Sequence, residues 1–234
     1  MKGFEQALRA CAQAGRVPVI PDLKSVSPGA GPLFPAAQAA ERAREMERAR
    51  APALSVVTES AQFGGSLEML SQVVQAVDLP VLRKDFIRTT AEVEQTARLG
   101  ARAILLICAC LEEALLRQLY QAALSCGLEP LVEAHTVREL QLAAALGARL
   151  VGINNRDILQ LERDGGTVDT TLRLAAEKPE HCLLISESGI QTPADARAAL
   201  RGGADAVLVG TAIWRSGDPA AFYQALSRAG EGGA

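Results

Sequence analysis

Short apolar runs recur along the chain, and each is followed by a longer stretch in which apolar and charged residues alternate with helical spacing. The runs lie at 17–22, 53–58, 80–84, 103–108, 129–133, 150–154, 183–187 and 206–210. Many are apolar at almost every position, the mark of parallel strands covered on both faces. Helical segments are predicted at 35–50, 66–77, 89–98, 111–125, 136–146, 167–177, 192–201 and 219–228, with one more at 4–14 ahead of the first strand. The 35–50 segment carries opposite charges three and four apart, which reads as a solvated helical face. Glycine closes several helices, at Leu99-Gly100, Cys126-Gly127 and Leu146-Gly147. Residues 25–35 are rich in Gly, Pro and Ser and read as a loop. Eight strand-then-helix units without a break in composition predict an α/β protein. It is read as a single (β/α)8 TIM-barrel domain, with a short helical segment over 1–16 and the barrel over 17–234. A doubly wound open sheet is the competitor, but no strand runs into the Gly-x-Gly-x-x-Gly turn of a dinucleotide site.

In such a barrel the C-terminal ends of the strands converge on one mouth, where chemistry is built. Polar residues gather at those ends: Asp22 and Lys24, Glu59, Lys84, Glu133, Asn154 and Arg156, Glu187 and Ser188. Lys84 is the clearest case. It follows Leu79-Pro80-Val81-Leu82-Arg83, a short strand whose charges appear only where it gives way to a loop. Apolar neighbours and opposite charges shift proton affinities, so an ammonium acid and a carboxylate base can share the mouth. Proton chemistry is therefore expected of Lys84 and Glu133, with Asp22, Lys24 and Glu187 as further candidates. The last two strands end in Ser188-Gly189 and Gly210-Thr211. Glycine there lets backbone N–H groups approach an anion, and these four residues form the expected phosphate cradle. No role is assigned to His135 or His181.

Composition narrows the function. The net charge is −3, and no Lys/Arg run is interleaved with aromatic residues, so a nucleic-acid partner is not expected. The longest apolar run, at 104–111, falls far short of the roughly 18 residues of a membrane span. The N-terminus lacks the apolar core of a secretory signal. Five cysteines, an odd number in a chain of this length, do not suggest a disulfide framework. Cys108 and Cys110 are read as alternating along one strand, as small buried residues. The expectation is a reduced, soluble, cytoplasmic protein.

An ordered series of motifs then resembles the indole-3-glycerol phosphate synthase family. It comprises Lys24-Ser25-Val26-Ser27-Pro28, Ser55-Val56-Val57-Thr58-Glu59 with Phe63-Gly64-Gly65-Ser66, and Leu82-Arg83-Lys84-Asp85-Phe86-Ile87. It continues through Glu129-Pro130-Leu131-Val132-Glu133, Gly152-Ile153-Asn154-Asn155-Arg156-Asp157, Ser186-Glu187-Ser188-Gly189-Ile190 and Leu208-Val209-Gly210-Thr211. The resemblance implies ring closure of 1-(o-carboxyphenylamino)-1-deoxyribulose 5-phosphate, a small phosphorylated substrate, with loss of carbon dioxide and water. By the same resemblance Lys84 would be the general acid, Lys24 would hold the substrate carboxylate, and Glu133 would steady the cationic intermediate. Asn154, Arg156, Glu187 and Ser188 would position the substrate. Ser27, Gly189, Gly210 and Thr211 would receive the phosphate, and Phe63 and Phe86 would supply apolar walls. No metal or organic cofactor is implied. Asp22 stands where the family has a proton-transferring glutamate, Ser25 and Val26 where its loop is basic, and the first strand begins as early as Val17. The residues alone also admit an aldolase-like enzyme forming a Schiff base at Lys84, or a non-catalytic relative that binds a phosphorylated ligand or a partner protein.

Overall fold

The computed structural model describes residues 3–156 and 166–228. Its strands are β1 (Val19–Leu23), β2 (Val26–Ser27), β3 (Gly31–Pro32), β4 (Leu54–Val57) and β5 (Val81–Lys84), then β6 (Ala103–Ile107), β7 (Glu129–Ala134), β8 (Leu150–Asn154), β9 (Leu183–Glu187) and β10 (Ala206–Val209). The helices are α1 (Phe4–Gln13), α2 (Ala39–Arg48), α3 (Leu67–Ala76), α4 (Thr90–Arg98) and α5 (Glu113–Ser125), then α6 (Val137–Ala145), α7 (Asp169–Leu174), α8 (Pro193–Arg201), α9 (Thr211–Arg215) and α10 (Pro219–Ser227). Eight of the strands close into a parallel barrel in the order β1-β10-β9-β8-β7-β6-β5-β4, with β4 pairing back to β1. This is a (β/α)8 TIM barrel.

Local chemistry sets the helix boundaries. Ser66, Thr89, Thr136, Thr192 and Asp218 each accept a backbone N–H three residues on, satisfying a donor that the first helical turn leaves open. Gly100, Gly127 and Gly147 follow their helices with φ of +84°, +73° and +69°, the left-handed turn that glycine makes without strain.

The period of two along each strand sorts the core. Ile20, Leu82, Leu105, Leu131, Leu150, Ile185 and Leu208 point into the barrel, whereas Val19, Val56, Val132, Val151, Leu184 and Val207 pack outward under the helices. Phe4 and Leu8 of α1 join the inner set, so α1 plugs the end of the barrel where the strands begin. Glu129, the first residue of β7, holds it there by accepting the N–H groups of Phe4 at 2.6 Å and Glu5 at 2.8 Å. An anion at a helix N-terminus also suits the helix dipole.

Three local features differ from the sequence expectation. β6 ends at Ile107, and Cys108–Cys110 form a 3-10 turn, so the two cysteines do not alternate along a strand; Cys108 is buried and Cys110 half-buried. The loop after β1 contains the small hairpin β2–β3. An extra helix, α9, follows β10, docked by the Trp214 indole N–H donating to the Asp22 carbonyl at 2.6 Å.

Candidate active site

The inward-facing residues change character toward the mouth. Below lie aliphatic side chains; above them Asp22, Lys24, Lys84, Glu133, Asn154 and Glu187 are all buried. Lys84 ends β5 with its Nζ 3.5 Å from Glu133 Oε2 and 3.6 Å from Glu187 Oε2. Both carboxylates are fully buried, and ions taken out of water need partners of opposite charge. Gly152 makes this arrangement possible. A Cβ at that position would lie 2.0 Å from Glu187 Oε1, so the carboxylate occupies space that any other residue on β8 would fill.

The lysine is flanked by two hollows. A polar cavity of about 530 Å³ is lined by Asp22, Lys24, Ser27, Lys84, Arg156, Ser188, Gly189, Gly210 and Thr211, among others. A smaller, mainly apolar recess is lined by Asp22, Lys24 and Lys84 together with Val57, Phe63, Phe86, Leu105 and Ile107. The structure thus brings together sequence-predicted residues from β1, β5, β9 and β10 and the loops after β4 and β8, with Glu133 and Glu187 beside Lys84 and Asn154 accepting the Arg156 N–H. Leu105 and Ile107 are additions that the sequence reading missed; their inward register on β6 is the signal that could have found them.

Around this centre the chain fixes its loops. Asp22 Oδ1 accepts the Ser55 hydroxyl at 2.7 Å. The Lys24 Nζ stands over the Phe63 ring, 5.7 Å from its centroid. Glu59 belongs to the loop itself: its carboxylate accepts the N–H groups of Ala61, Gln62 and Phe63 at 2.8–3.0 Å and so sets the position of Phe63. Asn155, which sequence reasoning passed over, donates to the Ser186 hydroxyl and to the carbonyls of Glu187 and Ser188, and accepts the Thr171 N–H. It holds the end of β9 in place. Ser188 and Gly189 are consecutive left-handed residues, with φ of +62° and +72°. A Cβ at Gly189 would also lie 2.7 Å from the Thr167 carbonyl, so glycine is needed there twice over. On the opposite wall the Thr211 hydroxyl donates to Ser27 Oγ at 3.2 Å. Asp157, the last residue of its motif, lies outside the described residues.

Behind Lys84, Arg83 points outward and is buried. Its guanidinium donates to Thr58 Oγ1 at 3.0 Å, Thr96 Oγ1 at 2.9 Å, the Glu92 carbonyl at 3.2 Å and Asp85 Oδ2 at 3.0 Å. Asp85 in turn accepts the Phe86 N–H at 2.9 Å. The residues on either side of Lys84 are therefore pinned to β4 and α4, which limits how far the lysine can wander. Chemically, the arrangement offers a proton donor between two carboxylates, an apolar slot on one side and a backbone-lined polar cavity on the other.

Comparison with known proteins gives matches over most of the chain. The family model described as indole-3-glycerol phosphate synthase matches residues 1–226. A protein of that name from Thermococcus kodakarensis is 42% identical over 218 residues, covering 93% of this chain and 95% of the relative. Another from Pyrococcus abyssi is 40% identical over 217 residues, covering 93% of both. Indole-3-glycerol phosphate synthase 1 of Streptomyces coelicolor is 42% identical over 215 residues, covering 92% of this chain and 79% of the relative. With a family match over nearly its whole length and the mouth residues gathered as described, the chain belongs to the indole-3-glycerol phosphate synthase family.

Proposed function

We propose that this protein is a decarboxylating lyase of tryptophan biosynthesis that closes the indole ring of 1-(o-carboxyphenylamino)-1-deoxyribulose 5-phosphate. The observation that carries the reading is Lys84, held between two buried carboxylates where the polar cavity meets the apolar recess. The substrate has a phosphate at one end and a carboxylated aromatic ring at the other, which fits a site of that double character.

The phosphate lies at Ser27, Gly189, Gly210 and Thr211, and the aromatic ring between Phe63 and Phe86. Asn154, Arg156, Glu187 and Ser188 orient the substrate. As the ring carbon bearing the carboxylate bonds to the ketone carbon, the ketone oxygen takes a proton from Lys84. Lys24 holds the carboxylate until the C–C bond to it breaks; the electron pair stays in the ring and carbon dioxide leaves. The new hydroxyl then departs as water while the adjacent carbon loses a proton, with Glu133 stabilising the cationic intermediate and serving proton transfer; Asp22 supports the same step. A Schiff base requires a neutral amine, whereas carboxylates at 3.5 and 3.6 Å are partners for an ammonium, so the acid role is preferred. We place the protein in the cytoplasm, the compartment expected of an enzyme of amino-acid biosynthesis.

A fluorescence assay for indole formation tests the activity directly. General acid–base groups contribute about 10²–10⁴-fold in rate, so Lys84→Met should lower kcat by that order while the circular-dichroism spectrum stays native. A folded variant with near-normal turnover would remove Lys84 from the mechanism.

A further inference from the structure

Glu133 divides its two oxygens. Oε2 faces Lys84 Nζ at 3.5 Å, and Oε1 lies 3.7 Å from His135 Nε2. On the far side of the imidazole, Nδ1 is 3.6 Å from Glu139 Oε2. Glu139 is itself fixed at the first turn of α6: its N–H donates to Thr136 Oγ1 at 3.2 Å, and its carboxylate accepts the His135 backbone N–H. A line of ionisable side chains therefore runs from Lys84 through the barrel wall to the start of α6. The histidine on that line is largely buried, its side chain 16% exposed.

We propose that His135 is a positioning residue for the Lys84–Glu133 pair, its imidazolium holding Glu133 Oε1 so that Oε2 stays turned toward the lysine. The proposal rests on the assignment of Lys84 and Glu133 to ring closure. Such a charge acts at short range in a site from which water is largely excluded, where electrostatic contacts are strong. The charged groups that face the imidazole are Glu133 from β7, Glu139 from α6 and, further away, Glu187 from β9. Near the turn after β6, burial and the charges of Glu139 and Glu133 push the Cys108 thiol up to about 12, and Cys110 is raised as well, so both stay neutral. Burial pushes the imidazole down, but its pairing with Glu139 and the charges of the three carboxylates outweigh this, and the net shift is upward. A raised value in the fold means that the charged form, and the stability it adds, is present at low pH. Both are lost as pH rises through the folded-state value.

The chain has two histidines, His135 and His181, so a His181→Asn variant reports His135 alone by imidazole NMR. His135 should titrate above the ordinary histidine value, and Glu133→Gln should bring it down. In the ring-closure assay, wild-type kcat should fall as His135 loses its proton. His135→Gln, which keeps an N–H donor but no charge, should lose that limb and run on the order of ten-fold slower at neutral pH, with KM little changed. An ordinary titration that ignores Glu133→Gln, or a Gln variant that retains the wild-type limb, overturns the proposal. Absent ring closure in the wild type would refute the assigned reaction instead, and the Glu133→Gln titration would still decide whether His135 holds Glu133.

Discussion

At position 152 a single methyl group would collide with the carboxylate that faces Lys84, since the added Cβ would lie 2.0 Å from Glu187 Oε1. Gly152→Ala should push Glu187 away from the lysine, cutting kcat more than KM, and cost about 1–3 kcal/mol in unfolding free energy by urea titration, as overpacking does. Gly210 is under a related constraint, because a Cβ there would lie 3.1 Å from the Asp22 carbonyl. Gly210→Val should raise KM and weaken the protection that inorganic phosphate gives against thermal unfolding. Equal protection of wild type and variant would place the phosphate elsewhere. Lys84 and Glu133 were legible in the sequence because each ends an otherwise apolar run. The roles of Gly152, Asn155 and Leu105 were not, although the first two fall in a quoted motif, since those roles lie in what a neighbouring strand or loop puts opposite them, and one chain read in order does not show its lateral neighbours. His135 lay in view but without a role, for the same reason.

Among the elements, β5 and α4 are joined by the Arg83 cluster. Four groups on three segments accept from one guanidinium: Thr58, Thr96, the Glu92 carbonyl and Asp85. Arg83→Met keeps much of the volume but leaves those acceptors without their donor, a loss of about 2–3 kcal/mol measurable by urea titration. Turnover should fall as well, because Asp85 then keeps only the Thr58 hydroxyl as its tie to the end of β4. The barrel strands and their long helices could be read because they repeat a period over enough residues to show it. The hairpin β2–β3 and helix α9 are too short to display one. What holds α9 is tertiary, the Trp214 bond to Asp22 and the edge-on packing of Phe34 on the Trp214 ring at 5.2 Å. The same limit explains Cys108–Cys110, where alternation over three residues suits a strand and a tight turn equally.

For the molecule as a whole, the count of strand–helix units was enough to predict the closed barrel, but not that α1 would plug it. Phe4 draws its partners from inward positions spread across the strands, a set that exists only once the barrel does. Phe4→Ala should lower stability by about 3–5 kcal/mol in denaturant titrations. Its effect on kcat of the folded protein should be small, because the plug sits at the end away from the mouth. The closing joint of the barrel has a different significance. β1 meets β10 through Val19 with Val207, Ile20 with Leu208 and Pro21 with Val209, residues nearly the whole sequence apart. The polar cavity straddles this joint, with Ser27 on one side bonded to Thr211 on the other. Synthesis delivers the N-terminal side first, so β1 keeps one edge uncovered until β10 has been made. A phosphate held at this joint, as proposed above, would bind only the closed ring and so would stabilise the seam between the first-made and last-made strands.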